Sequence, residues 1–186
     1  MPTITLPDGK TKSFDKPVTG LEVAASIGAG LAKAALACKI DGELRDLSTL
    51  IDRDCKIALI TLPKPGQPAN PEALTLVRHS AAHVMAEAIQ DVIGKDVQLA
   101  YGPSTDTGFF YDMYVPEGKK LSSDHFAKID ARMAEIVKED RKFCRYEVHA
   151  DEGLTKLQSE GNKYKLDNAV RGAIKTSPGV TFVEDL

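Results

Sequence analysis

The sequence predicts an α+β protein in two parts. Three observations carry that reading: short alternating segments joined by Asp-Gly turns through residue 62, a proline-dense stretch at 63–71, and two long amphipathic helical patterns beyond it. In the first part, Thr3–Leu6 and Thr11–Phe14 flank Pro7-Asp8-Gly9-Lys10, where Asp-Gly supplies the turn of a hairpin. A helical stretch follows through Leu21, Val23, Ala24, Ala25 and Ile27. Gly28–Gly30 breaks it, and Leu31–Ala37 suits another short turn of helix. Cys38–Ile40, the Asp41-Gly42 turn and Glu43–Asp46 read as a second hairpin, and Lys56–Thr61 as a closing strand. The order ββ, helix, ββ, β is that of a ubiquitin-like β-grasp, the fold expected for residues 1–62.

Residues 63–71 hold Pro63, Pro65, Pro68 and Pro71 around Gly66. Proline fixes φ and has no amide proton to give a helix or central strand, so this stretch is a linker. Residues 72–186 then form a second α+β domain. Asn70 suits an N-cap and Pro71 a first helical position. Leu74, Val77, Ala81, Val84, Met85, Ala88 and Val92 share one helical stripe, and Gly94 ends it. Val97–Tyr101 and Phe109–Val115 read as strands around a Gly-Pro loop. A second helix is expected from Ser122, with Asp124 in its first turn, Leu121 and Phe126 as a hydrophobic staple, and Ile129, Met133 and Ile136 continuing the apolar face.

Bulk properties exclude several function classes. With 42% hydrophobic and 27% charged residues, the chain is of globular composition. A net charge of -3 gives no overall attraction to nucleic acid, so an RNA contact needs a local patch. Arg141 to Lys175 is the best stretch, with Arg141, Lys142, Arg145, Lys156, Lys163, Lys165, Arg171 and Lys175 against five acidic residues, although on charge alone a solvated face is the favoured reading. Cys38, Cys55 and Cys144 are odd in number and far apart, which argues against a zinc ribbon or disulfide framework and for a reducing compartment. No signal peptide or transmembrane helix is expected, and the protein reads as cytoplasmic.

His79 and His83 carry the strongest chemical signal. Four residues apart on a helix, they share a face nearly opposite the mean direction of the apolar stripe. They are therefore a solvated pair or the wall of a cavity. Ser80-Ala81-Ala82 between them excludes the HExxH pattern, although Glu87 continues the face and could complete a three-ligand site. The glycine- and aromatic-rich segments Tyr101-Gly102-Pro103 and Gly108–Asp112 suit a pocket or a sheet core. Lys163 and Lys165 flank Tyr164, with solvent the default for both.

The fragments Met1–Gly9, Ile27–Leu44, Arg78–Ile89 (RHSAAHVMAEAI), Tyr101–Asp112 (YGPSTDTGFFYD) and Asn162–Leu166 (NKYKL), in this order, resemble the amino-terminal half of bacterial threonyl-tRNA synthetases. The resemblance implies a TGS β-grasp domain followed by an α+β editing domain that hydrolyses seryl-tRNA(Thr). It implies that His79 and His83 position or activate water, that Lys165, on a strand, stabilises charge or holds the ribose, and that Tyr101, Tyr111 and Asp112 line the pocket. Partners would be the acceptor end of tRNA(Thr) and the remaining synthetase domains. The family's second editing motif, Cys-x-x-x-His, does not occur after His83, so the chain reads as truncated before it, with impaired editing. No tightly bound zinc is expected, since two of four ligands hold a metal poorly. ATP, magnesium and zinc would belong to the absent aminoacylation core. The competing classes are a non-catalytic RNA- or protein-binding module on a TGS domain, and a free-standing editing hydrolase.

Overall fold

The computed structural model describes residues 1–64, 66–68, 70–141, 143–176 and 179–185, with the side chains of all these except 143–145, 147 and 172–185. Pro65 of the linker, Lys142, and the side chains of Cys144, Arg145 and Lys175 therefore lie outside the described residues. The chain divides into two compact units, Met1–Val77 and Arg78–Leu186.

Unit 1 contains β1 (Thr3–Thr5), β2 (Thr11–Ser13), β3 (Val18–Thr19), α1 (Gly20–Ile27), α2 (Ala29–Ala34), β4 (Ala35–Ile40), β5 (Glu43–Arg45), β6 (Leu50–Ile51) and β7 (Cys55–Thr61). The sheet order is β2-β1-β7-β4-β5, with β1 and β7 parallel and the other neighbours antiparallel. This is the expected β-grasp. Both Asp-Gly turns behave as the sequence requires: Gly9 has φ 82°, and Asp41 and Gly42 have φ 51° and 90°, the paired positive values of a tight hairpin turn. Thr19 caps α1, accepting from the Glu22 amide at 3.2 Å while the Glu22 carboxylate accepts from the Thr19 amide at 2.8 Å. Ile4, Val18, Val23, Cys38, Ile51, Cys55 and Ile57 form the core. Gly20 lets α1 approach the sheet, because a Cβ there would lie 2.8 Å from Cys38 Sγ. The helical turn expected over Leu31–Ala37 ends at Ala34, where the chain enters β4. The β3–β6 ladder was not anticipated; two residues a side leave no periodicity to read.

Helix α3 (Pro71–Ile93) starts where expected. Asn70 Oδ1 accepts from the Glu72 amide at 3.0 Å, and Gly94, at φ 143°, follows the last helical residue. Unit 2 continues with β8 (Gln98–Tyr101), β9 (Asp112–Tyr114), a 3₁₀ turn (Ser123–His125), α4 (Phe126–Glu139), β10 (Phe143–His149), α5 (Ala150–Ser159), α6 (Lys163–Thr176) and β11 (Gly179–Asp185). β8 pairs antiparallel with β9, and β10 with β11. The core joins Ala88, Ile89, Val97, Ile129 and Ile136, with Val84, Met85, Val92 and Met133 packed against it.

Three expectations need correction here. Val77 is 39% exposed, whereas Ala82 and Ala86 are buried, so small residues carry more of the α3 contact than the valine-leucine stripe suggested. Phe126 is 62% exposed and forms no staple. The turn before α4 is held instead by His125, whose Nδ1 accepts from the Ser122 amide at 3.2 Å. Finally, Asn162–Leu166 is not a strand. Asn162 Oδ1 accepts from the Tyr164 and Lys165 amides at 3.2 and 3.1 Å, capping α6 in the manner that starts a helix.

Candidate functional site

The site is organised around the exposed face of α3. His79 and His83, one helical turn apart, bring their Nε2 atoms to 3.2 Å, with ring centroids 4.7 Å apart and planes at 82°. In a neutral pair, one Nε2 must carry the proton and the other accept it. Tyr111 completes the ring cluster, edge-on to His83 at 6.0 Å. Both histidines are exposed, and Tyr111 is partly buried; that burial pushes its phenol pKa up, so it is a neutral hydroxyl at physiological pH.

Tyr111 is placed by Gly102. A Cβ on Gly102 would stand 2.3 Å from Tyr111 Cδ2 and 2.4 Å from Cε2, so the ring lies against bare backbone. The intervening loop closes on itself: Thr105 N donates to Gly108 O at 2.8 Å, and Gly108 N donates to Thr105 Oγ1 at 3.0 Å. Arg78, the residue before His79, donates to the carbonyls of Thr105 and Asp106 at 3.1 and 2.8 Å. It thereby ties the loop to the helix that carries the histidines.

Two other expected residues lie on the β8–β9 ribbon. Tyr101 and Asp112 are register partners, and both are exposed. The register shifts between Leu99 and Tyr101, a bulge at Ala100. Consecutive carbonyls of a regular strand point to opposite edges. The bulge lets Leu99 and Ala100 both serve α6, accepting from Asn162 Nδ2 at 3.1 Å and Asn168 Nδ2 at 3.0 Å. Lys165 sits exposed on that anchored helix.

Glu87 does not extend the histidine pair into a three-ligand site: its two carboxylate oxygens accept from Arg141 at 2.7 and 2.8 Å. Among the described residues, no three of His, Cys, Asp and Glu converge as a metal site. Asn168 went unnamed in the sequence reading, and Arg78, Gly102 and Asn162 entered it only as parts of segments, without a role of their own. Of these only Asn162 offered a local signal, a good N-cap residue ahead of a helix.

Comparison with known proteins shows what this arrangement, a β-grasp unit followed by an α+β unit bearing a paired-histidine helix, is similar to. Residues 2–61 match the TGS domain. The chain is 51% identical over 167 residues to the threonine–tRNA ligase of Paramagnetospirillum magneticum, 44% over 166 residues to that of Thiobacillus denitrificans and 43% over 167 residues to that of Burkholderia ambifaria. These matches take in 89–90% of this chain and 25% of each relative. Residues 2–61 thus carry a TGS domain, and the chain is similar to threonine–tRNA ligases, spanning about a quarter of their length. Among the described residues no helix is long and apolar enough to cross a membrane.

Proposed function

We propose that this chain supplies the proofreading part of a threonine–tRNA ligase, the part that hydrolyses the ester of seryl-tRNA(Thr) in the longer enzyme. In this reading a TGS domain over residues 1–62 and a linker over 63–71 precede an editing domain over 72–186. The observation that carries it is the His79–His83 contact at 3.2 Å beside Tyr111, on a helix face that its own fold leaves open. Serine and threonine differ by one methyl group, worth only ~1–3 kcal/mol in a binding pocket, so a ligase selecting threonine needs a second, hydrolytic site.

The chemistry requires a nucleophilic water, a base for its proton and a donor for the oxyanion. Water attacks the ester carbonyl carbon while an imidazole of the pair takes its proton. The carbonyl–ribose C–O bond then breaks, and the ribose oxygen leaves with a proton returned from the imidazolium. An imidazole with a pKa near ~6.5 can do both at neutral pH. Lys165 stabilises the developing charge or holds the ribose, and Tyr101, Tyr111 and Asp112 line the approach. No metal is assigned to this chain; ATP, magnesium and zinc belong to the ligation core of the longer relatives. The partners are the acceptor end of tRNA(Thr) and the other synthetase domains, in the cytoplasm.

The exposure of both histidines favours a second reading, a module that binds RNA or protein without catalysis. Deacylation of seryl-tRNA(Thr), with threonyl-tRNA(Thr) as control, separates the two. Serine-selective hydrolysis that falls ~10²–10⁴-fold in His83→Ala supports proofreading. Binding of tRNA unchanged by His83→Ala, without hydrolysis at any enzyme concentration, supports the module.

A further inference from the structure

We propose that the solvent face of the β8–β9 ribbon, with Tyr101, Tyr114, Tyr164 and Lys163, is a stacking platform for a short single-stranded RNA segment. The alternation of β9 separates its faces: Met113 packs into the core, while Asp112 and Tyr114 are exposed. Tyr101 is 61% and Tyr114 41% exposed, a large apolar area for a protein to leave in water without use. Tyr114 and Tyr164 rings stand 6.3 Å apart, and Lys163 Nζ lies over both, 5.2 and 4.8 Å from their centroids. The Asn162 and Asn168 bonds to β8 fix α6, so these rings are held in place before any ligand arrives.

Tyrosine rings open to solvent, with an ammonium beside two of them that are tilted 44° to each other, match the chemistry of unpaired nucleotides. Bases stack on tyrosine whatever their identity, and the ammonium pairs with the phosphate between them. Lys163 covers the Tyr114 and Tyr164 rings in the free protein; a nucleotide takes the ring face and the ammonium moves onto its phosphate. Asp112, also on this face, repels phosphate but accepts a hydrogen bond from a ribose hydroxyl, which selects RNA over DNA. A duplex buries its base faces and cannot use the platform. The inference rests on the proofreading reading only for the source of the RNA, the unpaired end of an aminoacylated tRNA.

The test is fluorescence anisotropy of the intact chain with a labelled seven-nucleotide single-stranded RNA ending in CCA. The same RNA in a blunt duplex and the DNA analogue serve as controls. Tyr114→Ala and Tyr101→Ala should each weaken binding about tenfold, within the range of one lost stacked base, while the Tyr→Phe variants retain it. Lys163→Ala should lower the slope of log affinity against log salt by about 0.7, the value for one phosphate contact on a single strand. Binding weaker than about 0.1 mM, at the limit of non-specific association, would overturn the platform. So would affinity unchanged by both tyrosine-to-alanine variants, or a duplex bound as tightly as the single strand. Loss of seryl-tRNA hydrolysis in His83→Ala is read separately, so either idea can fail without the other.

Discussion

The two units spend their residues differently. Unit 1 places Ile4, Val18, Val23, Ile51 and Ile57 in one core with Cys38 and Cys55, and sews it shut with a five-stranded sheet. Unit 2 buries alanines, Ala82, Ala86 and Ala88, along α3, and leaves Tyr101, Phe110 and Tyr114 exposed. Its helices are fastened by charged clamps. Arg132 reaches Asp91 at 2.7 Å and Glu139 at 2.8 Å, and Arg141 grips Glu87. Hydrophobic burial scales with the area removed from water, and an alanine removes little. Ion pairs at partly exposed positions add less and are screened by salt. Both units leave large apolar side chains exposed, aliphatic ones such as Leu21, Leu44 and Leu50 in the first and mostly aromatic ones in the second, so the difference lies in what each buries and in the character of what it exposes.

The largest expected effect breaks the first unit alone. Ile4 is fully buried, so Ile4→Ala should remove ~2–5 kcal/mol from unit 1 by lost transfer energy and the cavity left behind. The protein carries its own reporters: all four histidines lie in unit 2, and Cys38 and Cys55 lie in unit 1. Burial pushes both thiols above their ordinary pKa, so native unit 1 should react slowly with a thiol reagent. In a Cys144→Ser background, Ile4→Ala should expose the two thiols at lower urea while the imidazole NMR signals keep their midpoint. A shift of both midpoints together would show that the units unfold as one.

Next in size is a matched pair of glycine substitutions. Gly20→Ala drives a Cβ toward the Cys38 sulfur, and Gly102→Ala drives one into the Tyr111 ring at 2.3 Å. Both overpack a buried position, at a cost of ~1–3 kcal/mol. Their consequences should diverge. Gly20→Ala lowers the urea midpoint of the thiols and leaves the histidine signals alone. Gly102→Ala displaces the ring that packs edge-on against His83, so it should move the His83 resonances and depress seryl-tRNA hydrolysis while thiol protection stays intact.

The contrast also explains which parts were legible in the sequence. In unit 1, Asp41-Gly42 sits between alternating strands, and both residues take the positive φ that the turn demands, so chain order and fold followed directly. The ends of α3 were equally clear, because Asn70, Pro71 and Gly94 each act through local backbone chemistry. The histidine pair was visible because i,i+4 spacing fixes a shared face. Long-range partners were not. Arg78 meets a loop 27 residues away, Asn162 a strand 63 residues away, and Tyr111 packs on Gly102 across a loop. The strand expected at Asn162–Leu166 came from resemblance alone; the local signal there, an asparagine ahead of a polar-apolar helical repeat, is the one the structure follows.

Helix caps give a smaller, sharper comparison. Thr19→Ala removes the capping box of α1, and Asn162→Ala removes the cap of α6; loss of a cap costs ~1 kcal/mol. Asn162 also donates to Leu99 O, so its loss leaves a strand carbonyl without that bond. The two caps are alike locally and unlike in reach. Hydrogen exchange should therefore speed up in α1 alone for Thr19→Ala, but in both α6 and β8 for Asn162→Ala. Faster exchange confined to α6 would mean that Asn168 by itself holds the helix on the ribbon.

The smallest expected effect concerns acid. Lys95 and Arg132 hold the Asp91 carboxyl below its ordinary pKa in the folded state. A depressed carboxylate contributes stability that is complete above its unfolded value of about 3.9 and is lost as pH falls through the folded one. In unit 1 the lowered carboxyls, Asp8 and Glu22, belong to a turn and a cap rather than to a clamp between helices. Below pH ~4, unit 2 should therefore lose its hold between α3 and α4 before unit 1 loses its core. Asp91→Asn should lower the urea midpoint of the histidine signals slightly at neutral pH and flatten their fall on acidification. The same protein in high salt should show the effect reduced, because the clamp is partly exposed and screened. An acid response of the histidine midpoint identical in parent and Asp91→Asn would show that the Asp91 clamp does not set the acid stability of this unit.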